Sequence, residues 1–239
     1  MEYDSHKICT HSNEYGFTEE NVEAVCRIGH STKAKATREK GFIGEKGIGF
    51  KSVFRVASVV HISSRAYSFK FDRALPLGMI TPVWADFPSS KQSSGTSMQL
   101  QLSSDCDKTT LREEISSFDS NILIFLRRLK EINLSVHSWP RNSVRKLRRI
   151  DGQLGSNLKD IKILENGKQI QYYAVYQHTI SGMPVEPKRP DSNESDIVMA
   201  FPITESDSAG IEQITSYPVF AFLPIRNYGF RVRLPRPLV

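Results

Sequence analysis

The chain has 239 residues, a net charge of +6 and a hydrophobic fraction of 39%. A chain of this length can bury a core without disulfides or metal ions, and its composition is typical of globular proteins rather than of disordered or fibrous ones. No apolar run is longer than the five residues at 122–126, which is far too short to cross a bilayer, so no membrane partner is expected.

The cysteines and the N-terminus indicate the compartment. Cys9, Cys26 and Cys106 are scattered and form no metal-binding pattern. An odd, sparse set is typical of a reducing compartment, and the polar N-terminus is unlike a signal peptide. We therefore expect an intracellular protein, cytoplasmic or nuclear, without a Cys/His metal site. The positive charge fits an anionic partner, although a solvated basic surface is the simpler explanation.

Two helices with a polar loop between them are predicted first. The first helix covers residues 18–29, with Thr18 as its N-cap. Its apolar face is formed by Val22, Val25 and Cys26. Residues 30–40 carry no aromatic side chain and no aliphatic one larger than alanine, which predicts a mobile loop. The second helix is predicted over residues 48–57.

Strands are predicted next, followed by a long helix. Residues 59–63 and 67–71 read as a hairpin, and residues 95–102 alternate between apolar and polar side chains as a half-buried strand does. Residues 111–129 place apolar side chains three, four and seven positions apart. This spacing predicts an amphipathic helix lying on one face of the sheet.

The sequence changes character after Trp139, where strand-like runs dominate. Strands are predicted over residues 170–178, 197–203 and 219–225. We therefore predict a domain boundary near Trp139, with one domain over residues 1–138 and a partial, strand-rich domain over residues 139–239. The abrupt end of the second domain predicts that it is cut short at its C-terminus.

Residues 41–52 read Gly-Phe-Ile-Gly-Glu-Lys-Gly-Ile-Gly-Phe-Lys-Ser and hold four glycines in nine positions. A glycine-rich turn that opens a helix can bind phosphate, because the first N–H groups of a helix have no partner within it. The stretch is not a Walker loop, because no Gly-Lys-Ser/Thr ends it. It is not a Rossmann fingerprint either, since a polar loop precedes it. On the glycines alone, a structural turn and a phosphate site are equally good interpretations.

Three motifs surround and include this stretch in a fixed order. They are Asn13-Glu-Tyr-Gly-Phe17, Ser31-Thr-Lys33 and the segment Ile-Gly-Glu-Lys-Gly-Ile-Gly-Phe-Lys-Ser-Val-Phe at residues 43–54, and Gly95-Thr96 opens a strand further on. This order resembles the GHKL superfamily of gyrase, heat-shock chaperone, histidine kinase and MutL ATPases. Within it, the chain resembles the sacsin-related and NO VEIN-related proteins of eukaryotes. The resemblance is strong over residues 12–102 and fair from there to about residue 230.

The resemblance implies a fold and a cofactor. The fold is an α/β structure, a two-layer α/β sandwich of Bergerat type, with a mixed, largely antiparallel sheet and helices on one face, followed by a partial strand-rich second domain. The ligands are ATP and Mg²⁺. Asn13, Gly16 and Phe17 would line the adenine pocket, Thr96 would bind the adenine edge, and residues 30–46 would form a lid. The other implied ATP contacts are Ser31, Thr32, Lys33, Gly44, Lys46, Gly47, Ile48, Gly49, Phe50 and Lys51.

Simpler interpretations remain open for single residues. Lys33, Lys46 and Lys51 also fit solvated surface lysines, and Thr96 also fits an ordinary strand threonine.

The family's first helix carries a Glu that activates water and an Asn that holds Mg²⁺. No such helix is recognisable before Asn13, so the chain resembles an N-terminally truncated member with no identified catalytic residue or magnesium ligand.

The functional expectation follows from the three matching motifs and from the missing first helix. We expect an ATP-binding module of a chaperone-like ATPase that binds nucleotide weakly and does not hydrolyse it. The missing helix would leave a sheet face that a partner or protein client covers. The alternative is a non-enzymatic protein-interaction or nucleic-acid-interaction module. Its best candidate contact is the basic cluster at residues 145–149, for which a solvated strand edge is the simpler interpretation.

Overall fold

The computed structural model describes residues 1–26, 49–90, 94–138, 142–184, 194–203, 215–221 and 223–232. The chain divides into two compact units. The first contains Met1–Phe118 and Asn133–Arg145, and the second contains Asp119–Ile132 and Lys146–Val239. Trp139 lies outside the described residues, and the domain boundary predicted there stays a prediction.

The first unit is built on a seven-stranded mixed sheet. Its strands are β1 (Glu2–Tyr3), β2 (Lys7–Ser12), β3 (Ala57–Ser64), β4 (Tyr67–Asp72), β5 (Val83–Trp84), β6 (Thr96–Leu102) and β7 (Glu131–Val136). Their order across the sheet is β7-β1-β2-β6-β3-β4-β5. β1 pairs in parallel with β7 and antiparallel with β2, so the first strand of the chain is an inner strand of this sheet.

The hairpin predicted over residues 59–71 is confirmed as β3 and β4. Its register pairs Ser64 with Tyr67 and leaves a two-residue turn, in which Arg65 has φ 55°. Positive φ is typical of the tight turns that match strand twist. The predicted strand over residues 95–102 is confirmed as β6, which pairs with β2 on one side and β3 on the other.

The core of the first unit lies on one face of this sheet. Alternation along the strands places Val60 and Ile62 on the same face, both fully buried, and brings Phe71 opposite Val60. Helix α1 (Glu19–Cys26) packs Val22, Val25 and Cys26 against this core, which confirms its predicted apolar face. Helix α2 (Lys108–Ser116) contributes Ile115, and Asp107 caps it by accepting from the N–H groups of Thr109 and Thr110.

The second unit is built mainly on four strands joined antiparallel in succession. They are β8 (Ser143–Asp151), β9 (Leu158–Glu165), β10 (Lys168–Ile180) and β11 (Ser195–Pro202). Helix α3 (Ile122–Phe125) belongs to this unit, whose buried side chains include Leu147, Ile161 and Ile163. The strand predicted over residues 170–178 is confirmed within β10, and the one predicted over residues 197–203 is confirmed as β11, which ends one residue earlier.

A separate two-stranded sheet is formed by β12 (Thr215–Ala221) and β13 (Leu223–Val232). The single strand predicted over residues 219–225 is therefore wrong, because those residues are divided between the two strands. Along the described ranges, no helix has the length and apolar character needed to cross a membrane.

The expected two-layer α/β sandwich of Bergerat type, with helices on one face, is wrong. Strand dominates the described residues: eleven strands lie in mixed sheet, seven in the first unit and four in the second. The α-helices of the same residues are short, with eight, nine and four residues. The predicted α/β balance overestimated helix, and two particular segments explain much of the difference.

The long helix predicted over residues 111–129 is interrupted. α2 ends at Ser116, and the hydroxyl of Ser117 donates to the carbonyl oxygen of Glu113 at 2.7 Å. The carboxylate of Asp119 accepts from the N–H of Asn121 at 2.9 Å. Such local side-chain bonds compete with helix formation, and the apolar spacing alone does not reveal them.

The helix predicted over residues 48–57 is a 3₁₀ helix, Phe50–Arg55, within the described residues. The backbone leaves helical geometry at Val56, where φ is −120°, and Ala57 begins β3. The β-branched residues that follow favour the strand.

Candidate functional site

Three polar residues form one row across the ends of β2, β6 and β3. The strand registers pair Ser12 with Thr96 and Thr96 with Ser64. Because side chains alternate along a strand, Ser64 lies on the face that Val60 and Ile62 bury in the core. The row is therefore a polar margin of the apolar core, and we call it the Ser64 row.

The hydroxyl of Ser64 joins separate parts of the chain. It accepts a hydrogen bond from the backbone N–H of Phe17 at 2.8 Å and lies 2.6 Å from the Oγ1 of Thr96. The carbonyl oxygen of Gly95 is more distant, at 3.5 Å. Ser64 is 1% exposed and Thr96 is 7% exposed. Buried hydroxyls need partners, and these two satisfy one another.

Two glycines allow the backbones beside this row to approach. Gly16 has φ +83°, and a Cβ there would lie 2.4 Å from the Cγ of Arg65. Gly95 has φ +84°, and a Cβ there would lie 1.9 Å from the carbonyl oxygen of Ser12. Side chains at either position would be strained in φ and would overlap neighbouring atoms. The fold itself therefore requires Gly16, whether or not a ligand approaches it.

The structure brings together the described residues of the predicted adenine pocket. Gly16, Phe17 and Thr96 meet around Ser64, and Asn13 follows directly after β2, with its Cα 3.3 Å from the Cβ position of Gly95. The side chain of Asn13 is exposed, and that of Phe17 packs against the core.

Ser64 was not recognised from the sequence as a site residue. Its two-residue spacing from Ile62 and Val60 was the available signal, since it places the hydroxyl on the core face. The Ser63-Ser64 pair instead resembles the start of a turn.

The predicted phosphate contacts are only partly described. Ser31, Thr32, Lys33, Gly44, Lys46, Gly47 and Ile48 lie outside the described residues. Gly49 has ordinary helical angles, φ −59° and ψ −43°, and the position of a Cβ there is open. The Phe50 ring lies against those of Phe54 and Phe71, with centroids 6.3 and 5.4 Å away.

The ammonium group of Lys51 is held by backbone and aromatic rings. It donates to the carbonyl oxygens of Val25 and Met79, at 2.7 and 2.5 Å, and lies 4.6 Å from the ring centroid of Phe71. Burial lowers the pKa of Lys51, while the neighbouring Cys26 thiol acts in the opposite direction. In this arrangement Lys51 connects α1 to the segment before β5, and a phosphate contact by Lys51 stays a prediction.

A second polar cluster lies on the opposite face of the same strands. The amide oxygen of Gln99 accepts from Ser89 Oγ at 2.5 Å and from the Cys9 thiol at 3.5 Å. Burial raises the pKa of that thiol, which keeps it protonated. Within the described part of the chain, the Nδ1 of His61 is buried and has no hydrogen-bond partner.

The hydroxyl groups of the Ser64 row suit the base of a nucleotide better than they suit a metal ion. Hydroxyl groups both donate and accept, as the edge of a purine requires. Mg²⁺ is bound mainly by carboxylates, carbonyls and water. No group of three or more His, Cys, Asp or Glu side chains is placed to hold a metal ion in the described ranges.

Two arginines of the basic cluster on β8 donate hydrogen bonds to backbone carbonyl oxygens. Arg145 donates to the carbonyl oxygens of Ser116 and Phe118, at 2.8 and 3.0 Å. Arg149 donates to three carbonyl oxygens, at 2.8, 3.0 and 3.0 Å, which belong to Leu123, Ile124 and Leu126. Both guanidinium groups therefore satisfy carbonyls at the ends of α2 and α3.

The sequence of this chain is similar to that of a known protein. No family model matches the sequence. The chain is similar to Protein NO VEIN of Arabidopsis thaliana, with 30% identity over an alignment of 247 residues. The alignment covers 92% of this chain and 8% of that protein, so the chain spans less than a tenth of its relative. The predicted likeness to NO VEIN is confirmed as sequence similarity, and membership of the GHKL superfamily stays a prediction.

Proposed function

We propose that this chain binds ATP and holds the adenine base beside the Ser64 row, as the nucleotide-binding module of a chaperone-like ATPase of GHKL type. One observation carries the proposal. Phe17 and Thr96, which the sequence motifs assign to the adenine pocket, both hydrogen-bond to the hydroxyl of Ser64. Residues remote in sequence and assigned to one ligand are thus neighbours.

The chemistry of the row suits a purine. The edge of adenine presents an amino donor beside a ring-nitrogen acceptor, and the hydroxyl of Thr96 can serve either. A neutral hydroxyl binds an amino group more weakly than a carboxylate does, because charge-assisted hydrogen bonds are stronger. Weak binding is therefore part of the proposal.

We expect no ATP hydrolysis by this chain. Phosphoryl transfer depends on metal ions and on a residue that orients or activates the nucleophile. The residues before Asn13 form β1 and β2, and they offer no Glu and Asn side by side on a helix. Turnover of ATP by the purified chain, at a rate that persists through repeated purification, would contradict this expectation.

Calorimetric titration with ATP and Mg²⁺ tests binding. Thr96→Val keeps the shape of the side chain and removes its hydroxyl, so we expect weaker binding by about tenfold. Thr179→Val is the control, because Thr179 is also a strand threonine whose hydroxyl is hydrogen-bonded, to Asp196 at 2.7 Å. The proposal fails if the unmodified chain gives no binding at millimolar ATP, or if both variants bind as it does.

The alternative nucleic-acid function has less support. Its best candidate, the basic cluster on β8, has two of its guanidinium groups bound to backbone carbonyls. Lys146 lies 3.4 Å from the carboxylate of Glu131. Salt-dependent DNA or RNA binding that is lost in Arg148→Ala would favour this alternative, since Arg148 is exposed on the same strand.

A further inference from the structure

One proton lies between Ser64 and Thr96, and its direction decides what Thr96 can offer a ligand. The two hydroxyl oxygens are 2.6 Å apart, and either can be the donor. A hydroxyl has a single proton and two lone pairs. If Ser64 donates, the proton of Thr96 is free for a ligand; if Thr96 donates, only its lone pairs remain.

The other neighbours of Ser64 favour one direction. The N–H of Phe17 donates to Ser64 at 2.8 Å and so occupies one lone pair of the serine oxygen. The proton of Ser64 then has two acceptors, Thr96 Oγ1 at 2.6 Å and the Gly95 carbonyl at 3.5 Å. The distance to Thr96 lies within the usual range of O–H···O hydrogen bonds, whereas the distance to Gly95 lies beyond it, so the proton goes to Thr96. Thr96 is left with its own proton free.

We propose that Ser64 is the positioning residue that sets nucleotide specificity: it fixes Thr96 as a hydrogen-bond donor and so selects adenine over guanine. This inference rests on the proposed ATP binding. The N1 of adenine is an acceptor, whereas the N1 of guanine carries a hydrogen. A fixed donor at Thr96 that faces N1 therefore bonds to adenine and meets an opposing donor in guanine. A site built around a hydrogen bond rejects the ligand that lacks its partner.

Removal of the Ser64 hydroxyl distinguishes positioning from mere support. In Ser64→Ala, Thr96 no longer receives a proton and can turn either its proton or a lone pair toward the base. We expect the ratio of GTP to ATP dissociation constants to fall by about tenfold. If Ser64→Ala only removed the hydrogen bond to the N–H of Phe17, the binding of ATP and GTP would weaken equally, and the ratio would not change.

The experiment is calorimetric titration of the full chain with MgATP and MgGTP. Ser63→Ala is the matched control, because Ser63 is also buried on the same strand but points to the other face of the sheet. Thr96→Ser keeps the hydroxyl and should retain the ratio of the unmodified chain. Thr96→Val should have a lower ratio. This keeps the test decisive if circular dichroism shows that Ser64→Ala does not fold.

The outcomes separate the two proposals. A lower ratio in Ser64→Ala and Thr96→Val, with an unchanged ratio in Ser63→Ala and Thr96→Ser, supports the inference. An unchanged ratio in Ser64→Ala, or in Thr96→Val where Ser64→Ala does not fold, overturns the inference and leaves ATP binding intact. If the unmodified chain binds neither nucleotide, the proposed function and the inference both fail.

Discussion

The ammonium group of Lys51 donates to the carbonyl oxygen of Val25, in the last turn of α1. The last carbonyls of a helix have no partner within it, and a cation there is favourable. The same group bonds to the carbonyl oxygen of Met79 and so ties the helix to a neighbouring segment. Lys51, which the motif assigns to phosphate, also has a structural task.

That task predicts a loss of stability in Lys51→Met. The two carbonyls lose their donor, and we expect the free energy of unfolding to fall by about 1–3 kcal/mol. Urea unfolding followed by circular dichroism measures the change. Lys168→Met is the control, because Lys168 is exposed at the start of β10. Equal midpoints for the two variants would show that the bonds to Val25 and Met79 contribute little.

Substitution of two glycines separates ligand binding from folding. A Cβ at position 49 would meet no neighbouring atom, and the backbone there has helical angles. We therefore expect Gly49→Ala to have an unchanged or slightly higher melting temperature. If the glycine stretch approaches phosphate as the motif implies, the same variant binds ATP more weakly. Gly16→Ala should instead lose about 1–2 kcal/mol of stability, because its φ is +83°. Melting curves and ATP titrations of both variants test this difference.

We expect Arg149→Lys to destabilise the second unit. A lysine carries a single ammonium group and cannot reproduce the fork that reaches three carbonyl oxygens and the carboxylate of Asp151. We expect a loss of about 2 kcal/mol in urea unfolding. Arg148→Lys, on the same strand and exposed, should change stability little. A similar loss in both variants would assign the effect to strand β8 in general.

His61 predicts a loss of stability in mild acid. Burial lowers the pKa of His61, and Lys70 on the paired strand lowers it further, while Asp72 opposes both. As pH falls below about 6.5, the unfolded chain binds a proton at this residue before the folded protein does. Stability therefore decreases from that pH down through the lowered pKa of the folded state.

His61→Gln should remove part of this decrease. Melting temperatures at about pH 7.5 and about pH 5.5 measure it in the unmodified chain, in His61→Gln and in His6→Gln, whose histidine is exposed. A decrease of the same size in all three proteins would contradict the role of His61.

Local patterns predicted the hairpin and strand β6, because their alternation reflects one apolar face. They did not predict β2, whose Ile8 and Cys9 are both buried although they lie on opposite faces. One face packs in the core and the other meets Gln99, so polar and apolar side chains do not alternate simply. The sheet, rather than the segment itself, determines this strand.

The candidate site was predictable in part for a related reason. The motifs identified Gly16, Phe17 and Thr96, which meet in space. They did not identify Ser64, because its partners are distant in sequence and no local pattern links them. The glycine stretch up to residue 48 lies outside the described residues, and its role stays a prediction.

The Ser64 row also has a kinetic consequence. The β3–β4 hairpin that supplies Ser64 is local, whereas the pairing of Ser12 with Thr96 must close a long loop of chain, which is slow. We therefore expect the row to be completed only after that closure, late in folding. A nucleotide held there would consequently slow unfolding of the first unit and leave the rate of its folding nearly unchanged.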